Sequence, residues 1–324
     1  MPILIIGDPH FKKNNMIETD ILVNDILTII KTRNVDWVIL LGDVMHDHEK
    51  IDSRTFIRVQ NMIQKISELK PLYILIGNHD RIHNRLLLDD QTHVFGPFKK
   101  WPNVTIVDSI HKMEFKNMKI CMLPYIPDNY VMRTLESFNV DPKDFNLFFF
   151  HSHFHGNKTQ RISNCKCDEW KSDFPLAICG HQHERDIIGD NLFYPGTPYQ
   201  ENFGESTDKG IFIMDDEFNF EMIELNIPKK IQKTINYQDL DTIIIDKNEM
   251  LKLTIEGPTI LIKDIIKNPK YCDKLKNVKI IYKDTSKVKK NKLNVLPNMS
   301  FQDRLHMSLE KNIELHEIFK SIFN

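Results

Sequence analysis

The N-terminal stretch Ile3-Leu4-Ile5-Ile6-Gly7-Asp8-Pro9-His10 decides how this chain is read. Four apolar residues in unbroken succession suit a strand covered on both faces. A glycine then lets the backbone turn sharply, and an aspartate and a histidine follow. The same grammar recurs further along. Val38-Ile39-Leu40-Leu41 runs into Gly42-Asp43-Val44-Met45-His46, and Tyr73-Ile74-Leu75-Ile76 into Gly77-Asn78-His79-Asp80. The strand-like stretch 145–150 leads to His151-Ser152-His153, and Leu176-Ala177-Ile178-Cys179 to Gly180-His181-Gln182-His183. Residues 18–31 and 53–69 carry apolar side chains at helical period, the second with Ser53 as its expected N-cap and Pro71 just past its end. Strands alternating with such helices predict a parallel sheet with helices on both faces. Additional strands are expected at 104–107 and 120–123, and antiparallel ones at 191–194, 210–214 and 220–225. The expected fold class is α/β, a sandwich around two packed sheets with helices on the outer faces.

Length and charge divide the chain. Its 324 residues correspond to roughly two folded units at ~150 residues each. Residues 228–324 hold 19 Lys or Arg against 12 Asp or Glu, a net of +7, which leaves 24 against 33, a net of −9, for residues 1–227. An acidic part able to hold cations, joined to a basic part, hints at an anionic polymer as partner. The expected boundary is Pro228-Lys229-Lys230, giving units 1–227, 228–286 and 287–324. The second would be a small α/β unit built from Thr259-Ile260-Leu261-Ile262, a helix near 264–275 and Val278-Lys279-Ile280-Ile281-Tyr282. The third would be a lysine-rich linker and an amphipathic helix over 300–323. Twelve of the 14 histidines fall at or before His183, which places the chemistry in the first unit.

Several classes are excluded. The longest apolar runs fall far short of the ~18–20 residues of a membrane span, and the N-terminal run is too short for a secretory signal, so an intracellular protein is expected. Five cysteines, an odd number without framework spacing, read as free thiols rather than disulfides. Cys165-Lys-Cys167 lacks zinc-finger spacing.

The five polar clusters all sit where apolar strands end, the usual ligand crevice of an open α/β sheet. Carboxylates, an amide and imidazoles together suit Mn, Fe, Zn or Ni better than Ca, which prefers oxygen alone. Seven such ligands are too many for one ion and fit two. Paired ions ~3.5–4 Å apart can share a carboxylate and hold a phosphate between them.

These five motifs, in this order, resemble the calcineurin-like metallophosphoesterase superfamily. The closest resemblance is to the SbcD-type nuclease subunit of DNA double-strand-break repair and its phage and viral recombination-endonuclease relatives. The resemblance implies that Asp8, His10 and His183 bind one ion, that Asn78, His151 and His181 bind the other, and that Asp43 bridges them. It implies that His79 stabilises the transition state or protonates the leaving oxygen, oriented by Asp80, and that His46 positions the DNA strand. His151 is preferred over His153 and His155 because it follows its strand directly. The stretch Tyr194-Pro195-Gly196-Thr197-Pro198-Tyr199-Gln200, with Asn202-Phe203-Gly204-Glu205, is similar to the loop after the last histidine pair of SbcD-like and phage enzymes.

The resemblance further implies two divalent ions, Mn2+ in the first place with Mg2+, Fe2+, Zn2+ or Ni2+ as alternatives. The expected partners are DNA, an SbcC-like coiled-coil ATPase docked on the C-terminal helix, and a second copy, with 53–69 and 80–88 as dimer helices. Lys287, Lys289, Lys290 and Lys292 are candidate DNA contacts, against the plainer reading of a solvated linker. His48, His83, His153 and His155 read as surplus histidines around the site. Two other functions stay open: a phosphatase or cyclic-nucleotide phosphodiesterase of the same superfamily, and a metal-bound scaffold without catalysis.

Overall fold

The computed structural model describes residues 2–48, 50–82, 93–157, 166–246, 248–272, 274–276 and 278–285. Lys287, Lys289, Lys290 and Lys292, the expected helix at 300–323, His83 and Cys165 lie outside them. Of the expected dimer helix at 80–88, residues 80–82 form a turn and a bridge from Arg81 to His93, and the rest lies outside.

By compactness the chain divides into two units: residues up to Gln232 with Ile245–Lys252, and Lys233–Ile244 with the chain from Leu253. In the first unit, β1 (Ile3–Ile6), α1 (Met16–Thr32), β2 (Trp37–Leu40), α2 (Ser53–Ser67), β3 (Leu72–Leu75) and β4 (Val104–Val107) come first. Then follow β5 (His111–Phe115), β6 (Met118–Tyr125), α3 (Val131–Ser137), β7 (Leu147–His151) and β8 (Leu176–Gly180). The series ends with β9 (Asp186–Ile188), β10 (Leu192–Tyr194), β11 (Ile211–Met214) and β12 (Phe220–Ile223). One sheet has the order β12-β11-β1-β2-β3-β4, and the other β5-β6-β7-β8-β10-β9. β1 to β4 run parallel, and so do β6, β7, β8 and β10. Antiparallel strands β5, β9, β11 and β12 complete the edges.

The unbroken apolar runs are explained by layering. Leu4, Ile6, Val38, Leu40, Leu72 and Ile74 face α1 and α2, meeting Leu22, Ile26, Val59, Met62, Ile63 and Ile66. The alternate residues Ile3, Ile5, Trp37, Ile39 and Leu75 face the other sheet and pack on Ile120, Met122, Leu147, Phe149 and Ile178. The outer face of that second sheet, with Cys121, Phe148, Phe150 and Cys179, is covered by Val131 and Leu135 of α3 and by Trp170. Each central strand is therefore buried on both sides.

Four expectations are corrected. The first sheet carries these helices on one face only, because the other face is taken by the second sheet. Ser53 is the first residue of α2 rather than its cap: the Asp52 side chain accepts from Thr55 N at 3.0 Å. Residues 192–194 pair parallel with β8 as well as antiparallel with β9. In the second unit the run 259–262 opens a helix, α4 (Thr259–Ile266), directly after Pro258, and α5 (Pro269–Cys272) follows at the next proline. Strands β13 (Lys229–Asn236), β14 (Glu249–Gly257) and β15 (Lys279–Asp284) form a third sheet. β13 and the core-alternating β14 were not anticipated from the sequence.

Phe149 is fully buried between the sheets, whereas Ile17 is 72% exposed. Phe149→Ala is expected to lower unfolding free energy by about 3–5 kcal/mol, and Ile17→Ala by less than ~0.5 kcal/mol. Urea denaturation followed by circular dichroism checks both.

Candidate metal centre

Asp8 and His10 follow β1, Asp43 follows β2, Asn78 and His79 follow β3, His151 ends β7, and His181 and His183 follow β8. Parallel alignment puts all these ends on one edge, with both sheets contributing. Tyr125 N at the end of β6 donates to Ile76 O at 2.7 Å and ties the sheets together there. His10, Asp43 and His181 have φ of 43°, 47° and 79°, left-handed backbone that non-glycine residues enter at a cost. Hydrogen bonds hold them in place: His10 N donates to Asp43 O at 3.0 Å, and His181 N to Asp8 Oδ2 at 2.7 Å. Gly180 is required by close approach, since a Cβ there would lie 2.7 Å from Asp8 Oδ1 and 2.9 Å from His151 Nδ1.

Among the described residues four groups of possible ligand atoms converge. Asp8, His10 and His183 form one and Asp43, His151 and His181 another, as expected for two ions; His10, His46 and His79, and Asp128, His153 and His181, form the remaining two. His10 Nε2 and His183 Nε2 face each other at 3.0 Å. His151 Nε2 lies 3.1 Å from Asn78 Oδ1 and 3.3 Å from Asp43 Oδ2, and Asp43 Oδ2 is also 3.8 Å from His10 Nε2. Asp43 thus stands between the first two groups. His151 Nδ1 donates to Leu41 O at 2.7 Å, which leaves Nε2 as the nitrogen turned to the site.

The buried chemistry fits cations. Asp8 Oδ1 is buried without a hydrogen-bond partner, a configuration that is costly unless something positive fills it. Burial drives His10 down to about 3 and pushes His181 and His183 down as well, so these imidazoles are neutral and free to ligate. Burial also pushes Asp8 well up, against the pull of His151. At Asp43 burial opposes ionisation too, but the His151, His10 and His79 rings hold its carboxyl below the usual range. Burial opposes a proton on His151, yet Asp43 and Asp8 outweigh it and raise the ring to about 9.

His79 and His46 stand beside this centre. The His79 backbone N–H donates to Asp43 Oδ1 at 2.8 Å, and its Nδ1 donates to His46 O at 2.5 Å. The group that orients the His79 ring is therefore the His46 carbonyl, not the Asp80 carboxylate. Asp80 instead accepts from Met45 N and Gly77 N, at 2.9 Å each, and staples the two loops together. Burial, reinforced by Asp43, pushes Asp80 up to about 7. His46 Nδ1 lies 3.4 Å from His10 Nδ1, and the His48 ring stacks on His79 with centroids 4.3 Å apart. His153, read from sequence as surplus, lies against His181 with centroids 4.0 Å apart and the rings tilted by 45°, and its Nδ1 is 3.4 Å from Asp128 Oδ1.

Glu201 and Asp128 were missed from the sequence. The buried Glu201 is held by Lys12 at 3.1 Å and faces both His183 and His46. Its signal was its place inside the Tyr-Pro-Gly-Thr-Pro loop region. Asp128 carried no signal beyond following the Tyr125-Ile126-Pro127 stretch.

The family model of calcineurin-like phosphoesterases matches residues 1–185. The chain belongs to the calcineurin-like phosphoesterase family. It is 34% identical over 279 residues to "Putative phosphoesterase 244L" of Invertebrate iridescent virus 6, covering 82% of this chain and 97% of that protein. A second relative, "Putative phosphoesterase 078R" of Invertebrate iridescent virus 3, is 32% identical over 243 residues, or 73% and 70% of the two chains. Among solved structures, an archaeal phosphodiesterase overlaps 69% of this chain and 99% of its own, with TM-score 0.38 and 17% identity. Calcineurin-like phosphoesterases are hydrolases with dimetal sites, and this phosphoesterase brings together His and Asp groups able to hold such ions. None of its described helices is long and apolar enough to cross a membrane.

Because His151 is held protonated below about pH 9 while its Nε2 faces the site, cation binding must displace that proton. Affinity for Mn2+ is expected to rise by about tenfold per pH unit between pH 6 and 8 for each proton released. Calorimetric titration in buffers of different ionisation enthalpy reads the protons directly. PH-independent binding without proton release would contradict this placement of His151.

Proposed function

We propose that this phosphoesterase is a DNA nuclease that hydrolyses phosphodiester bonds with two divalent ions. Asp8, His10 and His183 would hold one ion and Asn78, His151 and His181 the other, with Asp43 shared. The observation that supports the two-ion part of the reading is Asp43: one oxygen faces imidazoles of both ligand groups while the other fixes the His79 backbone. Mn2+ suits this nitrogen and oxygen donor set, and the pair would supply Lewis acidity and an activated water.

The residues of the chain supply positioning and protons. With Nδ1 of His79 committed to the His46 carbonyl, Nε2 is the nitrogen available to a substrate oxygen. A protonated His79 can give that proton to the leaving alkoxide. His46, partly exposed beside His10, would contact the strand, and His48 backs His79 by stacking. Asp80 keeps the Asp43 and His79 loops in register. Support from the basic part of the chain is weaker than its charge suggests. Lys270 pairs with Asp241 at 2.5 Å, Lys283 with Glu256 at 2.6 Å, and Lys274 Nζ lies 3.3 Å from Asp241 O. An SbcC-like coiled-coil ATPase, a second copy of the chain, and DNA contacts from Lys287, Lys289, Lys290 and Lys292 complete the proposal.

Purified protein is expected to cut DNA with Mn2+, to stop on chelation, and to turn over phosphomonoesters and cyclic nucleotides poorly. His79→Asn is expected to lower kcat on DNA by about 10²–10⁴ with both ions retained. Efficient hydrolysis of the small esters while DNA stays intact would overturn the nuclease reading in favour of a phosphatase or cyclic-nucleotide phosphodiesterase.

A further inference from the structure

Glu201 is a carboxylate with no role in the ligand sets above, yet it is buried to 3% side-chain exposure beside them. Its backbone is pinned independently of any ion: Glu201 N donates to Glu205 Oε2 at 2.9 Å, and Glu201 O accepts from Lys230 Nζ at 3.2 Å. Oε1 accepts from Lys12 Nζ at 3.1 Å and lies 3.9 Å from His46 Nδ1. Oε2 lies 3.8 Å from His183 Nδ1.

The two nitrogens of His183 are thus divided. Nε2 meets His10 Nε2 at 3.0 Å, a hydrogen bond when one of the two nitrogens carries a proton, and a shared cation would take the place of that proton. Nδ1 points the opposite way, toward Glu201. At 3.8 Å the carboxylate acts on the ring through its charge rather than through a hydrogen bond. A negative group behind a ligating imidazole favours the proton on the far nitrogen and makes the near nitrogen a better donor. Lys12 pairs with that carboxylate at 3.1 Å without reaching into the ligand set.

We infer that Glu201 is a positioning residue, which sets the tautomer of His183 and so the hold on the ion shared by Asp8, His10 and His183. It also faces His46, so one carboxylate links that ion site to the histidine placed toward the strand. The inference rests on the two-ion reading of the centre and not on DNA being the substrate.

The test titrates metal-stripped full-length protein with Mn2+, read by calorimetry and by electron paramagnetic resonance. Glu201→Gln preserves shape and removes the charge; Glu201→Asp keeps the charge and shortens the reach. Glu201→Gln is expected to weaken one of the two Mn2+ sites by about 10–100-fold and leave the other within about twofold. Glu201→Asp is expected to recover part of the loss. Loss of the ion pair with Lys12 is expected to lower the melting temperature of metal-free Glu201→Gln, so the selective loss of one site, with the other retained, is the readout that separates positioning from general destabilisation. Equal affinities in wild type and Glu201→Gln, or equal weakening of both sites, would overturn the inference. Because ion affinity is read without substrate, failure of the DNA assay leaves this result standing, whereas a wild type that binds no ions overturns both.

Discussion

Asp8 and Asp43 are each 1% exposed, at a point where the ends of two sheets meet. Buried carboxylates are tolerated only when paired with positive charge or protonated. Burial drives the neighbouring His10, His181 and His183 toward neutrality, whereas at His151 Asp43 and Asp8 outweigh burial, so that buried ring proton faces two carboxylates. Asp8 Oδ1, buried without a hydrogen bond, is where a cation would complete the balance. Much else follows from that constraint. The left-handed backbone at His10, Asp43 and His181, the glycines without room for a Cβ, and the Asp80 staple all bring those charges together and hold them there.

The sandwich provides the rigidity such strain needs. Each central strand is locked by apolar side chains on both faces, and the polar loops begin where that packing ends. A shift of one residue in β1 would exchange the residues that face the helices for those that face the second sheet, and would carry Asp8 away from its partners. The register Ile3 to Trp37 and Ile6 to Leu40 therefore fixes the site as much as the ligands do.

Much of this was legible in the sequence because strand ends and ligands are local patterns. The runs 3–6, 38–41 and 73–76 marked buried parallel strands, and the clusters after them marked the crevice. Long-range facts were not legible. Which layer covers the second face of β1 depends on residues 120–178, and periodicity alone gives no partner. Asp52 caps α2 instead of Ser53 because side-chain geometry, one residue apart, decides it. The run 259–262 is as apolar as a strand, yet Pro258 starts a helix there. Glu201 and Asp128 lie on loops with no periodic signal: Glu201 matters through Lys12 and His46, more than a hundred positions away, and Asp128 through His153, beyond the end of the neighbouring strand of its own sheet.

The central claim is that two cations share the carboxylate of residue 43. Anomalous scattering from crystals soaked in Mn2+, collected at the manganese edge, tests it directly. Two peaks about 3.5–4 Å apart on either side of the Asp43 carboxylate are expected. A single peak, or peaks remote from Asp43, would contradict it.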